Sequence, residues 1–426
     1  MHIDVGLVFS EVKHDLHDIP SNVKRFLVAV FFFFMALGAI SPYMSIFIYS
    51  IVDDYAIVGS IFALFFLGTT LTVMLLGPLA DRVSKPFATA VIYALYPLAA
   101  LAYFLAGVVR GAVGLAMIVV ARFFNGVFAS HLLFVESYLR ENSPKGHTSG
   151  VFGLYFTTRF LGIVTGALLS MSFVFIMGLT VENINLVFWL MIPCVIIASL
   201  LAVRVPPKTK HTHHSLSELA HMVGMRKVEQ EVKDFEHLGH KALLVLLFGI
   251  TTNALSALIL VFLPLLARRV DFGLPSVGLI FVAFYTPYLL AFFLSVIPDI
   301  IVKERAIALA LTIAAAVLLW MGLLAEHSSL FFVASFILGL SLAMLRPAIN
   351  GLLTDLTPHF KEGEITAVYR SVAGVSRFAA ALVLGVAAQL AGLGYIFLLA
   401  SVFCLSVALA ALLPYKRKPL KHLVVK

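Results

Sequence analysis

The chain has 426 residues, 61% of them hydrophobic and only 12% charged, with a mean hydropathy of +1.04 and a formal net charge of +8. That composition excludes a soluble enzyme, and its long unbroken apolar runs exclude a β-barrel, whose strands would alternate in polarity. The positive balance does not point to nucleic acid, because the lysines and arginines gather in alternate loops between apolar segments.

Met1 to Asn22 holds Asp4, Glu11, Asp15 and Asp18 and lacks a basic stretch followed by an apolar core, so it is not a signal peptide. Residues 1–23 read as a short amphipathic tail. Six apolar spans follow, at 26–51, 55–80, 86–109, 112–139, 147–173 and 184–203, and make a first bundle over 24–203. From Arg204 to His240 the chain turns polar, beginning with Val205-Pro206-Pro207, and Ser215 to Arg226 has the pattern of a capped amphipathic helix. Its histidines His211, His213, His214, His221, His237 and His240 lack a rigid frame, so no metal site is expected. Six more spans, at 241–267, 275–300, 305–324, 329–356, 365–391 and 394–414, make a second bundle over 241–415, before a basic tail at 416–426. Cys194 and Cys404 sit in apolar segments of different halves and imply no disulfide framework.

With the N-terminus inside, 22 lysines and arginines fall in inner segments and three, Arg110, Arg268 and Arg269, in outer loops, which places both termini in the cytoplasm. The halves look duplicated. Val58-Gly59-Ser60-Ile61-Phe62-Ala63 matches Val277-Gly278-Leu279-Ile280-Phe281-Val282, Glu141 to Pro144 matches Asp355 to Pro358, and Arg159-Phe160 matches Arg377-Phe378, at offsets of 219, 214 and 218. Six spans return the chain to its starting side, so the repeats are parallel. The fold expected is an all-α polytopic membrane protein, twelve transmembrane helices in two pseudo-symmetric six-helix bundles.

Between the second and third spans runs Gly77-Pro78-Leu79-Ala80-Asp81-Arg82-Val83-Ser84-Lys85-Pro86. Together with twelve spans as six plus six and a cytoplasmic middle loop, this run resembles the major facilitator superfamily. The family's loop reads roughly Gly-x-x-x-Asp-Arg-x-x-Arg/Lys, and Gly77, Asp81, Arg82 and Lys85 fill each position. A degenerate twin at Pro298 to Arg305 has lost the glycine. Arg122-Phe123-Phe124-Asn125-Gly126 is similar to the Arg-x-x-x-Gly of proton-coupled members, and Tyr138 to Pro144 to the family's Tyr-x-x-Glu-x-x-Pro, without the arginine that usually follows. Gly162 to Gly166 lacks the proline usual in efflux antiporters. The resemblance implies a transporter rather than an enzyme, working as a monomer among membrane lipids on a small-molecule solute and needing no cofactor. It also implies a conformational latch of Gly77, Asp81, Arg82 and Lys85, with Arg82 pairing Glu136 first and Glu141 second.

The spans carry Arg122, Arg159, Arg346, Arg370 and Arg377 against one clear acid, Glu136. An arginine cannot shed its charge, and burying it alone costs at least about 2.5–3.5 kcal/mol. The excess must be met by water, carbonyls or an anion, and a planar guanidinium suits carboxylate or phosphate. The candidate binding residues are therefore Arg159, Arg377, Arg346, Asn350 and Tyr155, holding an organic anion between the halves. Against this stands a gate in which the same arginines bond Thr69, Thr70 or Tyr285. On an ideal helix Arg122, Asn125, Ala129, Leu133 and Glu136 share one face, with Arg122 and Glu136 about 21 Å apart along the axis. Arg122, Glu136 and His131 are the candidates for proton coupling. The sparse polar groups and many aromatics of the spans also fit a second reading, a proton-driven efflux antiporter for lipophilic compounds.

Overall fold

A computed structural model describes residues 19–76, 83–143, 148–206, 240–290, 294, 302–324, 328–356 and 362–412. The described residues are almost wholly helical and contain no strand, as a chain must be when lipid leaves its backbone no outside partner. The first bundle comprises α1 (Ser21–Val52), α2 (Tyr55–Leu76), α3 (Lys85–Val109), α4 (Gly111–Phe128), α5 (His131–Asn142), α6 (Thr148–Ile176) and α7 (Met191–Val203). The second comprises α8 (His240–Arg269), α9 (Leu274–Tyr285), α10 (Lys303–Leu324), α11 (Ser328–Leu356), α12 (Glu362–Ala391) and α13 (Leu393–Leu412). Among the described residues eleven segments are long and apolar enough to cross a membrane, and the shorter apolar segment Leu274–Leu290 stands where a span at 275–300 is expected. The amphipathic helix expected at 215–226 lies outside the described residues.

Each helix ends where its local chemistry requires. The backbone of Asp53 closes α1 in the left-handed conformation, φ 47°, and its N–H donates to the Tyr49 carbonyl. Ser84 precedes Lys85-Pro86 at the start of α3, where proline's missing N–H is harmless. Arg110 and Gly111, with φ of 51° and 60°, reverse the chain between α3 and α4, leaving those spans antiparallel and in contact.

The fourth span is not one ideal helix. The amides of Ser130 and Leu133 reach the carbonyls of Val127 and Ser130 at 3.2 and 2.9 Å, which is tight 3₁₀ winding between α4 and α5. The winding turns the helix face. The buried stripe runs Arg122, Asn125, Gly126 in α4 and then His131, Phe134, Val135, Tyr138 in α5, while Leu133 and Glu136 are only half-buried. The single face expected to carry both Arg122 and Glu136 is therefore broken at Ala129–Ser130. Two more spans carry 3₁₀ segments, Ile184–Leu190 leading into α7 and Thr286–Leu290 following α9.

The halves meet along two seams, α2 against α12 and α6 against α9. At the end of the bundle away from the chain termini the α2–α12 seam closes backbone to backbone. A side chain on Gly385 would come within 2.9 Å of the Tyr55 carbonyl and 3.0 Å of Gly59 Cα, so only glycines permit that approach. The Tyr55 amide also donates to Gln389 Oε1 at 2.9 Å, tying the same ends together. On the other seam Gly278 of α9 faces Tyr43 and Met171. Gly59 and Gly278 are the glycines of the first repeated hexapeptide, and each faces the opposite half.

Candidate functional site

Arg159, Arg346 and Arg377 stand on α6, α11 and α12, each near the middle of its span. At 1.5 Å per residue they lie about 15–22 Å from the termini-side ends of their helices, well inside their spans. All are half-buried. Arg377 lies within electrostatic reach of both Arg346 and Arg159, which makes one cluster across the two halves. Arg346 extends Nη2 to the Ser256 hydroxyl of α8 at 3.5 Å, a long contact for a charged donor. The Nε atoms of Arg159 and Arg377 are buried with no hydrogen-bond partner. Among the described residues no carboxylate pairs with any of the three.

Aromatic rings complete the surroundings. Arg159 stands over the Phe34 ring at 4.7 Å, and Arg377 lies 6.0 Å from the Phe66 ring, the outer limit of a useful cation–π contact. Tyr285 and Tyr288 feel Arg346 and Arg159, and Tyr369 feels Arg346 and Arg377. Phe160 stacks on Tyr288 at 4.5 Å and bridges the α6–α9 seam beside Arg159. The hydroxyls of Thr69 and Thr70, expected as arginine partners, instead donate to Phe65 and Phe66 carbonyls of their own helix at 3.0 and 2.9 Å. Asn350 is exposed one turn beyond Arg346, and the Arg370 side chain lies outside the described residues.

Tyr155 is fully buried in the first bundle, against Phe152 and Phe156 and close to Tyr93. It is one helical turn from Arg159. Gly162 and Gly166 face the α1 backbone at Phe31 and Met35, so they allow α1 and α6 to pack closely. Of the expected binding set, the structure gathers Arg159, Arg346 and Arg377. Tyr288 and Tyr369 are additions that sequence reasoning missed.

Arg122 is a different case. Only 6% exposed, it lies 4.1 Å from the Phe62 ring and 4.7 Å from the Phe65 ring, both on α2. Gly126 makes this possible, because any side chain there would strike the Phe65 carbonyl. The Tyr103 hydroxyl sits beside Arg122 and accepts Asn125 Nδ2 at 2.8 Å. The Arg-x-x-x-Gly spacing thus serves helix packing and an aromatic cage. His131 is 1% exposed and packs on Phe33 and Tyr93 with ring centroids 4.2 and 5.3 Å away. Its Nδ1 is 3.0 Å from the Phe128 carbonyl, while Nε2 has no hydrogen-bond partner. Glu136 is half-buried on another face of the span, so Arg122, Glu136 and His131 form no cluster.

Of the latch, Gly77, Asp81 and Arg82 lie outside the described residues. Lys85 is described, its side chain 4% exposed, and its Nζ meets Glu141 Oε1 at 2.7 Å. Glu141, expected as the second partner of Arg82, meets Lys85, and Arg82 itself lies outside the described residues. Lys85 and Glu141 both belong to the first bundle, so this pair ties α3 to α5 rather than one half to the other. The second half repeats the position: Lys303 begins α10 and its Nζ donates to the Gly351 carbonyl of α11 at 3.4 Å. Among the described residues no group of three or more metal-capable side chains occurs.

Two surface clefts, of about 440 Å³ between Met171 and Leu279 and about 280 Å³ between Lys24 and Thr158, are apolar and include none of the arginines.

A family model described as the Major Facilitator Superfamily matches residues 26–275 and 246–425. No curated protein matches the sequence. Among solved structures the chain is similar to the nucleoside transporter NupG, with a TM-score of 0.71 at 11% identity, over 92% of this chain and 98% of that one. It is also similar to the human organic anion transporter MFSD10 (TETRAN), with a TM-score of 0.63 at 13% identity, over 92% and 100% of the two chains. A POT family transporter in complex with 5-aminolevulinic acid gives 0.68 at 11%, over 92% and 95%. At these identities the likeness is one of fold.

Proposed function

The chain belongs to the Major Facilitator Superfamily, and from that premise we propose that it carries a small organic anion across the membrane by alternating access. The observation that carries this reading is the cluster of Arg159, Arg346 and Arg377, where two guanidinium Nε atoms are buried without a partner. A buried hydrogen-bond donor left unsatisfied costs about 1–3 kcal/mol, more for a charged group. Three guanidinium groups on helices from both halves, two of them with an open Nε donor, make a site that suits a negative partner. The depth agrees with substrate binding near the bilayer midplane at a repeat interface. Tyr285, Tyr288 and Tyr369 supply hydroxyls and ring faces for the organic part of the cargo. One similar structure is that of an organic anion transporter, another that of a nucleoside transporter. That likeness is confined to fold, so the anion reading rests on the arginines.

On this reading both termini are cytoplasmic, as the loop charges require, and the glycine-lined ends of the seams close the outer side. The separation of Arg122, Glu136 and His131 leaves proton coupling without a gathered site, which favours the anion carrier over a proton-driven efflux pump.

A thermal-unfolding screen of the purified protein tests the reading. The panel is benzoate, succinate, citrate and glucose 6-phosphate, with tetraphenylphosphonium as the cation. At least one anion is expected to raise Tm, and Arg159→Ala and Arg377→Ala to remove the rise. Stabilisation by tetraphenylphosphonium alone, or an anion effect that survives both changes, overturns it. Insensitivity of uptake to a collapsed proton gradient is expected in proteoliposomes.

A further inference from the structure

We propose that the cleft between α1 and α6 is a binding site for one anionic phospholipid of the leaflet on the termini side, with an acyl chain in the groove and the phosphate on Lys24. The site shares no residue with the arginine cluster, so it stands apart from the anion reading above.

The cleft exists because α1 and α6 touch over one part of their length and separate over another. Gly162 and Gly166 bring α6 against the α1 backbone at Phe31 and Met35, and Gly38 brings α1 against the backbone of Ile163. Toward the termini side the same line of α6 continues with Thr158 and Leu154, whose side chains hold the helices apart. Lys24, Leu27, Val28 and Phe31 form the α1 wall of the resulting gap, which has a volume of about 280 Å³. From Lys24 to Phe31 it runs about 10 Å along α1, against about 15 Å for the hydrocarbon of one leaflet.

The gap faces hydrocarbon. On α6 the stripe of Leu154 and Thr158 continues at helical spacing through Leu161 and Leu168, which are 45% and 39% exposed, and on α1 Val28 is 46% exposed. Arg159 and Phe160, which face the other half, point about 100° and 160° away from Thr158 on an ideal helix. An acyl chain is the occupant that such a wall meets in a bilayer.

The mouth of the gap is cationic. Lys24 is exposed in the first turn of α1, with Arg25 exposed beside it, and that turn holds no acid. Among the described residues no carboxylate pairs with Lys24. At the termini-side end of its span the ammonium stands at headgroup level, and a basic residue opening a groove between spanning helices suits a lipid phosphate. Lysine is a point charge on a flexible stem, so it meets a phosphate without demanding one orientation. A zwitterionic lipid offers its phosphate together with an ammonium that Lys24 repels, so the site selects anionic lipid.

Native mass spectrometry of the full chain, delipidated in mild detergent, tests the site with dioleoyl phosphatidylglycerol and dioleoyl phosphatidylcholine as probes. One phosphatidylglycerol is expected to be retained in preference to phosphatidylcholine. Lys24→Gln is expected to weaken phosphatidylglycerol binding by about fivefold, the scale of one basic residue at a membrane surface, and to leave phosphatidylcholine within about twofold. Val28→Trp fills the groove from its exposed wall and is expected to weaken both lipids. Arg305→Gln, at an exposed position in the first turn of α10 in the other half, is expected to change neither. Equal retention of the two lipids, or an equal loss in Lys24→Gln and Arg305→Gln, would mean diffuse attraction to a charged surface and overturns the site. Phosphatidylglycerol binding that survives both Lys24→Gln and Val28→Trp overturns it as well. A rise in Tm with glycerol 3-phosphate that Lys24→Gln abolishes would assign Lys24 to a free phosphate and not to a lipid.

Discussion

Arg122 and Arg377 are the same residue type, both deep in apolar helices, and their surroundings could hardly differ more. Arg122 is enclosed by its own bundle, with Phe62 at 4.1 Å, Phe65 at 4.7 Å and Tyr103 alongside. Arg377 stands at the seam, with the Phe66 ring 6.0 Å away and two other cations within reach. Burial alone therefore does not mark a functional arginine in a membrane. What matters is whether the protein supplies the compensation itself. Around Arg122, whose Nε also has no hydrogen-bond partner, it does so through two aromatic faces. Around Arg377 it supplies further positive charge.

The largest expected effect breaks the seam side of this comparison. Arg159→Ala combined with Arg377→Ala removes two donors to the anion, each worth about 1.5–3 kcal/mol as a charge-assisted hydrogen bond. Affinity for the stabilising anion, measured by calorimetry, should fall by about a hundredfold or more, while each single change should cost at least about tenfold. Full retention of affinity in the double variant would assign these arginines to gating instead.

Next in size is Gly126→Val, which attacks the cage. The added side chain meets the Phe65 carbonyl, and overpacking of this kind costs about 1–3 kcal/mol or more. Thermal unfolding in detergent should register a clear loss of stability, with anion affinity unchanged in the protein that remains folded. Arg122→Leu sharpens the same point with a smaller effect. It forfeits two cation–π contacts, about 0.5–2 kcal/mol each, but also the desolvation of a buried charge. The net change in stability should stay within about 2 kcal/mol and anion binding within threefold or so. A collapse of transport with binding intact would return Arg122 to a proton-coupling role.

Much of this was legible in the sequence, for a physical reason. Lipid forces apolar runs to be helices, so the spans declare themselves. A duplicated fold places Arg159 and Arg377 at one offset before any coordinates exist. The tight winding at Ala129–Ser130 was not legible, because no proline or glycine pair marks it, and a face projected from 3.6 residues per turn therefore failed at Glu136. Tyr288 and Tyr369 were hidden for another reason: in a chain with 37 Phe and 13 Tyr, one more aromatic residue carries no signal until its depth and neighbours are known. Arg346 was visible as a charge, but its membership in the cluster depends on how α11 faces the other half.

The ion pair at the termini side gives the smallest effect and the finest discrimination. Lys85 is nearly buried, whereas Glu141 keeps 41% of its side chain exposed, so solvent screens the pair. Its contribution should sit near the surface value, at most about 1 kcal/mol. Lys85→Ala is thus expected to lower Tm slightly, and Lys85→Arg to restore it. The position of the pair makes a stronger statement than its size. Lys85 opens α3 and Glu141 lies in the last turn of α5, so the bond closes the open end of an antiparallel pair of spans within one half. A bond internal to a rigid body is equally present whichever way that body rocks, and so cannot bias the rocking. Fluorescence energy transfer between dyes on Met177→Cys and Leu390→Cys, exposed positions in opposite halves, should report nearly unchanged populations in Lys85→Ala, within about twofold. A tenfold shift would mean that the pair feels the other half, and that the charged run from Gly77 to Lys85 acts across the interface through Lys85 as well.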